Sequence, residues 1–468
     1  MNQDTICAIA TAQGGAIGTI RVSGPEAVAI TSQLFTPARA GKRLTDQPPY
    51  TLTFGRICNG EEIIDEALVT LFRAPHSYTG EDSTEITCHG SSYILQQVMQ
   101  MLIHNGCRVA QPGEYTQRAF LNGKMDLSQA EAVADLIASS SAATHRLAMS
   151  QMRGGFSKEL TNLRGQLLQF TSMIELELDF SEEEVEFASR ESLRNLADGI
   201  ENVISRLVLS FSVGNAIKNG VPVAIIGETN AGKSTLLNVL LNEERAIVSD
   251  IHGTTRDVIE DTVNLGGTTF RFIDTAGIRQ TNDTIETLGI ERTFQKLDQA
   301  EIVLWMLDAA DAPSQIAQLS AQILPHCTGK HLFLLFNKAD LVEASQRVLP
   351  SPLLPDYPDF PTGHVQALFI SAKQRLHTDV LQQLLLAAAH LPTVTQNDVI
   401  VTNVRHYEAL THALDAIHRV QEGLSTHISG DFLSQDIRDC IFHLSDIVGE
   451  VTNDMVLKNI FQHFCIGK

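Results

Sequence analysis

Several features that would place this 468-residue chain in a class of its own are missing. Its seven cysteines, at positions 7, 58, 88, 107, 327, 440 and 465, form no Cys-x-x-Cys pair, which argues against a zinc site or a disulfide scaffold. No apolar run approaches the ~18 residues of a membrane span. No basic residue precedes Arg21, so the positive start of a secretory signal is lacking as well. There is no basic excess either. A formal net charge of −21 argues against a nonspecific nucleic-acid coat, while leaving room for nucleic acid on a local basic patch or shared with a more basic partner. Internal repeats and low-complexity tracts are absent too. What is present, 43% hydrophobic and 19% charged residues, is ordinary globular composition in a length suited to about three domains of roughly 150 residues. A cytoplasmic, reduced protein without a membrane span is the expectation.

Three textures follow one another along the chain. Residues 1–120 mix short β-rich runs (Thr19–Val22, Ala67–Phe72, Thr84–Cys88) with Gly/Pro punctuation and a helical stretch near 91–104, which reads as an α/β domain. In 121–216 the strand pattern stops, and Leu160, Leu163, Leu167, Phe170 and Ile174 recur at helical spacing. Residues 217–378 alternate apolar strands (Pro222–Ile226, Phe270–Ile273, Ile302–Leu307, Leu332–Phe336, Ala367–Ile370) with helical segments, the pattern of a mainly parallel sheet wrapped by helices. From 379 to 468 helix returns, with Tyr407, Leu410, Leu414, Ile417 and Leu424 on one face and Leu433, Ile437, Ile441, Leu444 and Val448 on another. The two helical segments are expected to pack as one domain with the sheet domain inserted; two independent bundles are the alternative.

The inserted domain carries the chemistry. Gly-Glu-Thr-Asn-Ala-Gly-Lys-Ser at 227–234 follows a strand and opens a helix at Thr235, the context of a phosphate loop. Gly227 and Gly232 let backbone N–H groups face phosphates, aided by the helix N-terminus. Lys233 is placed to bridge the β- and γ-phosphates, and the Ser234 hydroxyl to reach Mg²⁺. Asp-Thr-Ala-Gly at 274–277 follows, with Asp274 holding magnesium through water and the Gly277 N–H offered to the γ-phosphate; Thr275 and Ala276 complete the turn. Asn-Lys-Ala-Asp (Asn337, Lys338, Ala339, Asp340) reads guanine, because one carboxylate can accept from both N1–H and the 2-amino group, donors that adenine does not match. Ser371, Ala372 and Lys373 would support the base. Together these predict a P-loop, Ras-like GTPase domain binding GTP and GDP.

Two points stay open on the residues alone. Thr255, within Gly253-Thr254-Thr255-Arg256-Asp257, is the candidate for the second magnesium hydroxyl, though a plain β-turn has the same composition. Ile278 stands where signalling GTPases carry a water-orienting Gln, and an Ile cannot position water. A carboxylate from the polar 279–289 stretch would have to do so, and Asp283 and Glu286 are equal candidates.

The chain resembles, from end to end, the MnmE (TrmE) family of tRNA modification GTPases. The resemblance rests on Pro112-Gly113-Glu114-Tyr115-Thr116-Gln117-Arg118-Ala119-Phe120-Leu121-Asn122-Gly123-Lys124, on Gln129-Ala130-Glu131-Ala132-Val133-Ala134-Asp135-Leu136-Ile137 and on the terminal Cys465-Ile466-Gly467-Lys468. It implies a homodimer joined through an N-terminal domain that binds a tetrahydrofolate derivative (5,10-methylene or 5-formyl). It also implies a heterotetramer with the FAD-carrying MnmG, and modification of the wobble uridine of certain tRNAs. Potassium-dependent hydrolysis is implied, with the Asn230 side chain and backbone carbonyls in the loop Ser249, Asp250, Ile251, His252, Gly253 and Thr254 around K⁺, chiefly Ser249, Ile251 and Thr254. By the same resemblance Glu286, rather than Asp283, orients the attacking water. Arg21, Glu81, Lys124 and Lys468 fall at folate-contact positions, and Cys465 reads as a functional thiol near the folate, with a buried structural thiol as the alternative. The G-domain motifs alone would equally suit a regulatory or ribosome-assembly GTPase switch; the flanking motifs favour tRNA modification.

Overall fold

Strands that alternate and strands that are apolar throughout bury different numbers of faces, and the chain contains both kinds. A computed structural model describes residues 4–12, 14–179, 190–242, 261–274, 294, 297–349, 354, 365–389, 395, 398–426, 428–451, 454–462, 464 and 467. Contacts divide the chain into two units. One comprises Met1–Ala138, Ala148–Val208 and Val404–Lys468, the other Ser139–Leu147 and Leu209–Asn403.

The first unit begins with a seven-stranded sheet made of β1 (Ile6–Ile9), β2 (Ile17–Ser23), β3 (Phe35–Pro37), β4 (Thr51–Asn59), β5 (Glu62–Phe72), β6 (Ser83–His89) and β7 (Arg108–Val109), in the order β3-β4-β5-β6-β2-β1-β7. Every pairing is antiparallel except β1 with β7. β4 shows why such a sheet can leave one face open: Thr53, Gly55 and Ile57 are buried while Leu52, Phe54 and Arg56 between them are exposed. The sequence expectation found β2, β5 and β6 and the helix Ser92–His104 but not the nine-residue β4, nor the short strands β1, β3 and β7, whose two to four residues carry too little periodicity.

The helical part of this unit packs the two sequence segments together. Helix Gly155–Asp179 buries Phe156, Leu160, Leu163, Leu167, Phe170 and Ile174 on one face, and helix Gly430–Val448 packs against it and against Val404–Thr426. The buried seam differs in detail from the expected one. Cys440 and Ile447 are buried where Ile441 and Val448 are half-buried, and Ala413 and Ala416 replace Leu414. Small side chains there let the helix axes approach closely, and apolar periodicity counted on large residues misses them. A buried polar contact also joins the segments: Glu131 of helix Leu127–Ala138 pairs with His406 Nε2 at 2.6 Å and Arg405 at 3.1 Å. Burial would raise the Glu131 carboxyl, but His406 and Arg405 outweigh it and hold it at about 2.

The second unit is built on a six-stranded sheet of β8 (Val221–Gly227), β9 (Asp261–Leu265), β10 (Thr268–Asp274), β11 (Ile302–Asp308), β12 (His331–Asn337) and β13 (Val365–Phe369), in the order β13-β12-β11-β8-β10-β9. It is parallel apart from the β9–β10 hairpin. All seven residues of β8 are buried. Val221, Val223 and Ile225 enter one apolar cluster and Ala224 and Ile226 another, so both faces are covered, as a parallel sheet requires. Leu381 and Leu385 of helix Thr378–Ala389 belong to the first of these clusters. Among the described residues no helix is long and apolar enough to cross a membrane.

Candidate nucleotide site and a second polar cluster

The register of the parallel sheet gathers the motifs at the carboxyl ends of its strands, where open α/β sheets bind ligands. Gly227 ends β8 and pairs with Met306, Asp274 ends β10 opposite Ile225, and Asn337 ends β12 opposite Asp308. The loop after β8 turns into helix Lys233–Asn242, so backbone N–H groups at its start have no partner one turn earlier in the helix.

Two glycines in this loop are dictated by close neighbours. A Cβ on Gly227 would lie 2.3 Å from the Met306 carbonyl oxygen, and one on Gly232 would lie 2.2 Å from Asn337 Nδ2. Asn230 holds a left-handed backbone, φ +66°, which Asn tolerates better than most side chains. That is a conformational reason for Asn at 230, beside any role as a ligand. Lys233 Nζ donates to the Gly227 and Glu228 carbonyls at 2.9 Å each.

Asn337 locks the phosphate and base loops to one another. It is 3% exposed, donates from Nδ2 to the Ala231 carbonyl at 2.7 Å and accepts on Oδ1 from the Ala372 N–H at 3.0 Å. Ala339 N–H donates to Ile370 O at 3.0 Å, and Ser371 Oγ accepts from the Gln374 N–H at 3.1 Å. Ala231, Gly232, Lys338 and Ala372 are thereby brought together, with Ser234, Thr235, Asp340 and Lys373 exposed. Lys338 Nζ pairs with Asp308 at 2.7 Å. Burial raises the Asp308 carboxyl, but the Lys338 and Ala310 donors more than offset it and hold it below the usual carboxylate range. Ser249–Thr255, Thr275–Gly277, Asp283 and Glu286 lie outside the described residues, as do Cys465 and Lys468.

A second cluster lies in the first unit, around β2. Arg21 and Ser23 share a face of that strand. Arg21 binds Glu85 on β6 at 2.7 Å, donates to the Gly467 carbonyl at 3.4 Å and stacks over Tyr78 and Tyr115, each 5.6 Å from its guanidinium carbon. Ser23 Oγ donates to Glu81 at 2.8 Å, and Arg118 reaches Glu81 at 3.1 Å, Asp4 at 2.7 Å and Glu114 at 3.0 Å. Burial opposes the charge on Arg118, yet these three carboxylates raise its pKa above the ordinary value. Lys124 Nζ donates to Pro75 O at 2.9 Å and its stem lies beside Gly80. Arg21, Glu81 and Lys124 are thus gathered around one strand and the loops beside it, and Gly467 brings the chain's last described residue to Arg21.

Sequence reasoning passed over Arg118, Tyr115, Tyr78, Glu85 and Ser23 as site residues. Tyr115 and Arg118 stand inside the Pro112–Lys124 motif and were legible there; Tyr78, Ser23 and Glu85 carry no motif and are recognisable only through contact.

Two family models match the chain: GTP-binding protein TrmE N-terminus over residues 5–124, and MnmE helical domain over residues 127–465. The tRNA modification GTPase MnmE of Bacteroides thetaiotaomicron is 80% identical over 468 residues, covering 100% of each chain. That of Phocaeicola vulgatus is 67% identical over 504 aligned positions, 100% of this chain and 99% of the relative. Among solved structures, Aquifex aeolicus Era bound to GDP·AlF4⁻ is 27% identical with a TM-score of 0.29, covering 42% of this chain and 66% of that chain.

Proposed function

The chain belongs to the MnmE family of tRNA modification GTPases, and from that membership we propose that it is a potassium-dependent GTPase. With the flavoprotein MnmG, it would add a carboxymethylaminomethyl or aminomethyl group to C5 of the wobble uridine of certain tRNAs, in the cytoplasm. The observation that carries the GTPase part is the Asn337 lock. One buried amide joins the phosphate loop at Ala231 to the base loop at Ala372, which is the coupling a guanine nucleotide needs across its two ends.

The residues present fit the groups this reading requires. Gly232 lacks the Cβ that would collide with Asn337 and so lets the loop close against the base side of the site, and loop N–H groups with Lys233 would receive the phosphates. Ser234, with Thr255 and Asp274, would hold Mg²⁺; Asn230, with the carbonyls of Ser249, Ile251 and Thr254, would hold K⁺. When bound, these cations supply positive charge against the charge that develops on the transferred phosphoryl group. Asp340, exposed at the end of the base loop, accepts from the guanine edge. Glu286 orients the attacking water.

In the first unit, Arg21, Glu81, Lys124 and Lys468 would bind the tetrahydrofolate, whose one-carbon chemistry and the flavin of MnmG do the work on the base. Glu81 suits a pterin because a carboxylate can accept from paired N–H donors, and Arg118 and Ser23 hold it in place by donating to it. Cys465 is assigned beside the folate on the resemblance. Exposed Leu52 and Phe54 on the open face of β4 support a homodimer through this sheet. The domain limits 1–120, 121–216, 217–378 and 379–468 stand as part of the same proposal.

Wobble-uridine mass spectrometry of tRNA from cells lacking the protein tests the reading. Loss of the C5 substituent, restored by the wild-type chain and not by Glu286→Ala, is expected; an unchanged nucleoside profile would refute it. GTP turnover in K⁺ against Na⁺ tests the cation, and equal rates would remove potassium from the mechanism.

A further inference from the structure

A loop that receives phosphates carries, as its second residue, an acid. Glu228 follows Gly227 directly, and a carboxylate close to a nucleotide's phosphates is repelled by them. This carboxylate is held by a side chain from far along the sequence. Gln315, 5% exposed on helix Ala312–Ile323, donates from Nε2 to Glu228 Oε2 at 3.2 Å and accepts on Oε1 from the Asp308 N–H at 3.0 Å. A backbone N–H can only donate, so Asp308 fixes which way the amide points, and its NH₂ end necessarily faces Glu228.

Both ends of this contact lead into the nucleotide site. The Glu228 carbonyl accepts from the Ala231 N–H at 3.2 Å and from Lys233 at 2.9 Å, so anchoring the side chain also steadies the carbonyl on which the loop's turn rests. On the other side, Asp308 pairs with Lys338, and the Ala309 N–H donates to the Asn337 carbonyl at 2.9 Å. Glu228, Gln315, Asp308 and Lys338 therefore form a second bridge between the phosphate and guanine ends, separate from the Asn337 amide.

We propose that Gln315 is a positioning residue of the GTPase site: it holds the Glu228 carboxylate off the phosphates and ties the phosphate loop to the guanine-reading strand end, and so sets how long nucleotide stays bound. This rests on the GTP-binding reading of the site and adds a residue that touches no nucleotide.

The test is the release rate of N-methylanthraniloyl-GDP with Mg²⁺ from the full chain, chased with unlabelled GDP. Gln315→Glu sets two carboxylates face to face, and release is expected to quicken by roughly 10-fold, the effect of losing one hydrogen bond to a charged group. Combining Glu228→Gln with Gln315→Glu restores an amide–carboxylate pair with the donor exchanged and leaves a carboxylate oxygen for the Asp308 N–H. Release should then return to within about 3-fold of wild type, the non-additivity expected of residues in direct contact. Melting temperatures are read alongside. A single variant that releases at the wild-type rate, or a double variant no slower than the single, overturns the proposal. If the wild-type chain fails to bind the labelled GDP at all, the GTPase reading itself falls.

Discussion

The two polar sites of this chain are built on opposite plans. The nucleotide site is mostly backbone: loops at the ends of parallel strands, held in register by the buried amide of Asn337 and braced by that of Gln315. The cluster around Arg21 and Glu81 is mostly side chain, with Arg118 paired to Asp4, Glu81 and Glu114, and Arg21 separately to Glu85. A backbone site must be encoded by contiguous residues that permit the loop, so it leaves motifs. A side-chain site is encoded wherever strands and loops meet, so it leaves scattered charges. The first plan makes substitutions show up in ligand affinity; the second makes them show up in the stability of the fold.

That contrast can be broken by experiment, and the largest effect is expected at Arg118. Arg118→Met removes the buried cation shared by three carboxylates, of which Asp4 and Glu114 keep Arg108, so the cost is expected at the low end for a buried pair, about 3 kcal/mol. Denaturant unfolding of the full chain should register that loss while GTP affinity holds; a variant with wild-type stability would mean that the cluster is not structural. At the nucleotide site, Asn337→Ala leaves the Ala231 carbonyl and the Ala372 N–H without their partner. The expected penalty of about 2–3 kcal/mol falls on binding, roughly 100-fold in the GTP dissociation constant. Titration calorimetry showing undiminished affinity would remove the amide from its central place.

Asp340→Asn is gentler. GTP should weaken roughly 10-fold and xanthosine nucleotides should gain, since a 2-oxo group suits the new amide donor; unchanged base preference would undo the guanine assignment. Smallest at acid pH is Glu131→Gln. Glu131 is held at about 2 in the folded chain, below the ordinary value of about 4.3. Its stabilising contribution is therefore complete above about pH 5 and is lost as pH falls toward 2. The melting-temperature gap between wild type and variant should be widest near neutrality and close over that window. A gap constant from pH 7 to 3 would argue that packing against Phe156, whose ring lies 5.3 Å from that of His406, matters more than charge.

Legibility followed the same division. The five strands expected in the inserted domain are all present; β8, β11 and β12 stand out because a strand buried on both faces must be apolar nearly throughout, while β10 and β13 carry shorter apolar runs. Among the described strands of that sheet, the antiparallel β9 was missed. In the N-terminal sheet, the alternating β4, with Leu52, Phe54 and Arg56 facing out, was missed, and β3 and β7, three and two residues long, offered nothing to count. The helical segments were recognised by large apolar residues, while their buried seam runs through Ala413, Ala416 and Cys440, which a pattern of leucines overlooks.

The amino-acid sequence by itself determined the guanine-nucleotide chemistry, the helical segments on either side and the family. Each depends on local conformational freedom, on periodicity or on contiguous motifs, all carried by neighbouring residues. Only the tertiary structure decided that Asn337 reaches Ala231, that Gln315 holds Glu228, and that Arg118 gathers Asp4, Glu81 and Glu114. Apart from the i,i+4 pair of Arg118 with Glu114, those contacts span tens to more than a hundred residues. They exist because strand order and register bring the chain together there, and burial makes each unpaired polar atom too costly to leave.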